Sequence, residues 1–66
     1  MIYRRLRKAL RLNLDTVAKR SGYSAAYISA VERGRRPMLT HVADALRVVY
    51  DRELQRALAE ETGGAA

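Results

Sequence analysis

Arg33, Arg35 and Arg36 place three guanidinium groups within four positions, directly before Pro37. A guanidinium stays charged and offers its N–H donors as a planar fork that fits carboxylate and phosphate oxygens. The proline keeps Arg36 out of the α region. This stretch therefore reads as a basic loop whose chemistry is the capture of anions. Nothing around it points to catalysis. The chain has one histidine, His41, and no cysteine. One histidine cannot fill a metal site, and its spacing of three from Asp44 is one that any helix offers. No glycine-rich phosphate loop is present. The expectation is no enzyme, no metal, no cofactor and no small-molecule substrate.

The bulk numbers point the same way. A chain of 66 residues is one domain, and a domain this small buries only about 60% of its unfolded surface. No apolar run approaches a membrane span, and residues 1–11 lack the apolar core of a signal peptide. The expected compartment is the cytoplasm, with the nucleoid, and no membrane partner. Net charge is +6. Residues 1–36 hold ten Lys/Arg against Asp15 and Glu32, giving +8, while residues 37–66 hold three Arg against five acids, giving −2. One strongly basic half suits a polyanionic partner.

These residues must be positioned by helices. Tyr3, Leu6 and Leu10 recur at helical spacing and predict a first helix over 2–11 with one apolar stripe. Arg7 neighbours Tyr3 and Leu10, close to the buried edge. A partly buried arginine needs a partner, and Glu32, next to Val31 on an inward edge, is the candidate; otherwise both charges face water. Asn13 is a good N-cap for a second helix, with Asp15 in its first turn. Leu14 faces outward or packs on the first helix. Val17 and Ala18 give the second helix its inner face. Gly22 supplies a turn that needs φ > 0, and Ser24 caps a third helix from Ala25 to Arg33. There Ile28, Val31 and Glu32 point inward, Ala26, Ser29, Ala30 and Arg33 outward, and Ala25 and Tyr27 lie on the flanks. Gly34 is a C′ residue.

Residues 38–50 predict a fourth helix, through Leu39, Val42, Ala43, Leu46, Val49 and Tyr50, with Thr40 as its cap. Leu54, Ala57 and Leu58 continue the pattern over 51–61. Val48, Val49 and Tyr50 are weak helix formers, so a break there and a fifth helix from Asp51 are favoured over one continuous rod. Residues 62–66 are expected to form a flexible tail. The fold expected is all-α: a compact bundle of four to five helices over residues 1–61, with a helix-turn-helix at 14–33. That motif sets its second helix into the major groove of DNA.

Particular runs strengthen this. Leu6-Arg7, Leu12-Asn13-Leu14-Asp15-Thr16-Val17-Ala18, Gly22-Tyr23-Ser24, Tyr27-Ile28-Ser29-Ala30-Val31-Glu32-Arg33-Gly34, Pro37 and Val42-Ala43-Asp44-Ala45-Leu46 resemble the Xre family of phage repressor and Cro proteins. The resemblance implies a phage repressor-like DNA-binding domain that binds operator DNA as a dimer and represses transcription. Some members of that family are antitoxins or controllers of restriction systems. By position, the resemblance puts Ala25, Ala26 and Ala30 against base edges, and Tyr27 and Ser29 are the remaining polar candidates for base contact on that helix. It puts Asn13, with the open N–H groups at the start of the second helix around Leu14, against phosphate. Arg33, Arg35 and Arg36 are further candidates for phosphate contact, and Arg35 and Arg36 could instead enter a narrow minor groove read by shape. It also matches Arg7 and Glu32 to an internal ion pair. The chain departs from the family in its alanines, which cannot hydrogen-bond a base and can only touch a thymine methyl. It departs again at Ser21, usually apolar, and in a shorter stretch between Gly34 and the fourth helix.

The function expected is thus a sequence-specific regulator of Cro or small-repressor type, acting on double-stranded DNA as a homodimer. The alternative is an antitoxin or regulatory protein-interaction module. The apolar face Leu46, Val49, Tyr50, Leu54 and Leu58 closes the core, forms a dimer seam through Tyr50, Leu54 and Leu58, or grips another protein.

Overall fold

The computed structural model describes residues 2–65, with side chains through residue 60. Helices α1 (Ile2–Ala9), α2 (Leu14–Ser21), α3 (Ala25–Glu32) and α4 (Thr40–Ala65) follow in order, with no strand among the described residues. The chain is an all-α bundle.

The junctions explain where each helix stops. At the end of α1 the Arg11 N–H donates to the Lys8 carbonyl and the Leu12 N–H to the Arg7 carbonyl, each at 3.0 Å. Together these form a Schellman close. Arg11 takes the left-handed position of that close, at φ 59°. The next helix starts at once: Asn13 Oδ1 accepts the Thr16 N–H at 2.8 Å. Gly22 ends α2 at φ 85°, its N–H donating to the Ala18 carbonyl. A side chain there would meet no atom within 4 Å, so the backbone angle, not space, is what calls for glycine. Ser24 Oγ accepts the Tyr27 N–H at 3.1 Å and opens α3.

The core is built from Leu12, Val17, Ile28, Val31, Val42, Leu46, Val49 and Tyr50, all nearly inaccessible. Tyr3, Leu10, Leu14, Ala18, Tyr23, Tyr27 and Met38 pack around it, half-buried. The Tyr3 and Tyr50 rings lie 6.2 Å apart and join α1 to α4.

Several expectations are corrected. No break falls at Val48, Val49 and Tyr50: α4 runs on as one helix and the separate fifth helix at 51–61 does not exist. Val49 and Tyr50 are 4% and 2% exposed, and the burial of such a face outweighs weak propensity where no glycine or proline interrupts it. Thr40 is the first helical residue, not the cap; the Leu39 carbonyl accepts the Ala43 N–H at 2.9 Å. Tyr50 was a candidate for a dimer seam, but it belongs to the core and has no surface to offer. Leu6 is 38% exposed, and Arg7 at 8% takes the inward position beside it. Leu14 is half-buried against the core and does not face outward. The backbone of α4 is helical through Ala65, while the side chains of the expected tail at 62–66 lie outside the described residues.

Candidate nucleic-acid interface

Helix α3 has two faces. Ile28, Val31 and Glu32 are buried, and the Tyr27 ring packs against the core beside them. At about 100° per residue the remaining positions, Ala25, Ser29, Arg33, Ala26 and Ala30, cover an arc of about 140°. Ala26 and Arg33 are exposed; Ala25, Ser29 and Ala30 are half-exposed. Apart from Arg33 the side chains on this arc are short, so the helix backbone itself lies close to whatever it meets.

One buried ion pair fixes the angle of α3. Arg7 Nε donates to Glu32 Oε2 at 2.8 Å and Nη2 donates to Oε1 at 3.0 Å, a two-pronged contact. The third nitrogen, Nη1, donates to the Leu12 carbonyl at 3.0 Å. Arg7 therefore ties α1, the loop after it and α3 at one point. The hydrogen bonds Arg7 donates to Glu32 hold its pKa above its ordinary value, against the lowering effect of burial. Tyr50 lies near this pair. Burial pushes its phenol up to about 12, with the Glu32 charge adding to the rise. Its hydroxyl has no hydrogen-bond partner among the described residues.

The basic loop is locked to the end of α3. Gly34, at φ 77°, donates to the Val31 carbonyl at 3.1 Å. The Arg35 and Arg36 N–H groups both donate to the Ala30 carbonyl, at 2.9 and 3.3 Å. Bonds from C′ and C″ back to C2 and C3 form a Schellman close, which places Gly34 at C′. Arg33, Arg35 and Arg36 are all exposed. None of them forms an ion pair among the described residues.

Arginines elsewhere are more often neutralised within the chain. Arg20 Nη1 meets Glu53 Oε2 at 2.9 Å, Arg47 Nη2 meets Asp44 Oδ1 at 2.8 Å, and Arg56 lies within 3.8 Å of Glu53 and 3.9 Å of Glu60. Arg20, Glu53 and Arg56 border a half-open groove of about 460 Å³ between α2 and α4. The acids of the second half thus cancel cations on α2 and α4, while the loop after α3 has no acidic partner among the described residues.

At the start of α2, Asn13 is exposed and its side chain serves the Thr16 amide. The Leu14 and Asp15 amides belong to the first turn, where no intrahelical partner exists. The structure thus brings Arg7 and Glu32 together, and groups Ala25, Ala26, Ser29 and Ala30 with Arg33, Arg35 and Arg36. It turns Tyr27 toward Tyr23, with ring centroids 5.4 Å apart and planes at 26°. Leu54 and Leu58 remain at the surface, 45% and 53% exposed, on the part of α4 beyond the core. Two features went unread in the sequence. Arg11 as a left-handed C′ residue was signalled by the cap Asn13 two positions on. The Tyr23–Tyr27 stack was signalled by the spacing of four.

Among the described residues no helix is long and apolar enough to cross a membrane. No cluster of three or more His, Cys, Asp or Glu could hold a metal. A family model described as a helix-turn-helix domain matches residues 4–61. No curated protein and no solved structure matches the chain.

Proposed function

Since the chain belongs to the helix-turn-helix domain family, a DNA-binding family, we propose that it is a transcriptional regulator of Xre or Cro type that represses by holding operator DNA as a homodimer. The observation that carries this reading is the pairing of two features. The outward face of α3 is left open by the described residues, and three arginines with no ion pair among those residues sit at the end of that same helix and on the loop bonded to it. A recognition helix lies in the major groove with its first residues against base edges. Here Ala25, Ala26, Ser29 and Ala30 meet the groove and Tyr27 stands at its edge. Arg33, Arg35 and Arg36 take phosphates on one side of the helix. The Asn13 side chain and the Leu14 amide take one at the start of α2. A site of action at the nucleoid follows.

A salt titration tests the proposal. Each phosphate neutralised adds about 0.9 to the slope of log K against log salt. The double variant Arg35→Ala/Arg36→Ala is expected to flatten the slope by about 2 and to weaken binding to all sequences alike. Binding that ignores salt overturns the reading.

A second reading, a regulatory module that grips another protein, draws on the exposed Leu54 and Leu58. A strictly monomeric chain with no affinity for any duplex favours it.

A further inference from the structure

The face of α3 names the chemistry it can recognise, given the docking proposed above. Over the two turns of α3 the outward side chains before Arg33 are Ala25, Ala26, Ser29 and Ala30, three methyl groups and one hydroxymethyl. Tyr27 is the other polar side chain of this helix near that face, and it stands at the edge of the arc, not on it. Its ring is packed on the core and stacked on Tyr23 at 5.4 Å. No long amide or guanidinium stands on the first two turns to reach a purine edge.

An alanine has no hydrogen bond to give. In the major groove it can only make apolar contact, and the apolar group displayed there is the C5 methyl of thymine. The C5 methyl of 5-methylcytosine occupies the same place on its ring. We propose that α3 reads pyrimidine C5 methyl groups through Ala25, Ala26 and Ala30. The preferred duplex carries thymine at those positions, and methylation of cytosine there raises affinity. Ser29 supplies the one polar contact. The arginines of the following loop hold the duplex without choosing its sequence.

The test uses the full chain and a duplex selected from a random pool, at one fixed salt concentration. Each thymine is replaced in turn by uracil, which lacks only the methyl. Each loss at a position facing α3 is expected to weaken binding about three- to fivefold, the effect of one buried methyl-sized group. At the same positions a 5-methylcytosine·guanine pair is expected to bind better than cytosine·guanine by a similar factor. In Ala26→Gly, checked for helicity by circular dichroism, the thymine-to-uracil ratio should fall at the position that Ala26 faces. If the selected duplex still beats the scrambled one but tolerates uracil at every position, methyl reading is overturned and DNA binding stands. If no duplex is retained even at low salt, the docking itself is overturned as well.

Discussion

At the scale of single residues, Arg7 and Glu32 decide whether α3 has a fixed angle. Their side chains are 10% and 3% exposed and meet at 2.8 Å. Removing one member of such a pair leaves a lone buried charge and costs about 3–5 kcal/mol. A domain of this size holds roughly 3–10 kcal/mol in total. Glu32→Ala is therefore expected to lose about a third or more of its stability, read as a sharply lower urea midpoint at 25 °C by circular dichroism. The double change Arg7→Met/Glu32→Leu is expected to recover most of the stability, because apolar replacements of a buried pair are often neutral or better. Tyr50 gives a pH prediction. Its folded pKa is raised to about 12 from 10.0, chiefly by burial. The unfolded chain then loses this proton first as pH rises, so stability is full below pH 10 and declines between 10 and 12. Tyr50→Phe should remove that decline and leave the urea midpoint at pH 7 unchanged or higher, since the hydroxyl has no partner to lose. A steeper alkaline decline in the variant would refute the assignment.

At the scale of elements, what the sequence discloses depends on how local the cause is. The caps Asn13 and Ser24, the turn at Gly22 and the close at Gly34 are settled by neighbours within five residues, and all were legible. So was the inward edge Ile28, Val31 and Glu32, because helical spacing fixes which side chains share a face. Spacing does not say which face a distant helix will cover. Leu6 and Tyr50 show the difference: the leucine stays at the surface and the tyrosine is buried, because α1 and α4 meet through Tyr3 and Tyr50. Propensity failed at Val48, Val49 and Tyr50 for the same reason, since two of the three are held by the core. Val48 is 49% exposed and gains nothing from that packing. Val48→Ala should raise the thermal midpoint through an increment of about 0.5 kcal/mol. A lower midpoint would mean that the valine packs where the structure leaves it open.

At the scale of the whole molecule, shape and charge divide the labour. The chain is elongated, 45 × 18 × 18 Å, because α4 at about 1.5 Å per residue outruns the three short helices packed on its first half. Beyond Tyr50 no residue of α4 through position 60 is buried; Glu53, salt-bridged to Arg20, is its last half-buried one. That overhang is where a second copy is expected, and a small domain gains stability by association. Leu54→Lys should shift sedimentation at micromolar concentration toward the monomer and lower operator affinity at least tenfold, while leaving the monomer folded. Retained dimers with the lysine in place would move the seam elsewhere.

Ala30, whose methyl the proposed docking turns toward the duplex, carries the amides of both Arg35 and Arg36 through its carbonyl. One residue is therefore both the feeler and the bolt of the grip. In the proposed docking the protein would work as a gauge: the depth at which α3 sits and the reach of the loop arginines could not be adjusted separately. A single residue inserted after Gly34 would leave every helix and every charge in place, yet the two settings would come apart, and a chain that still clings to DNA would stop distinguishing one stretch of it from another.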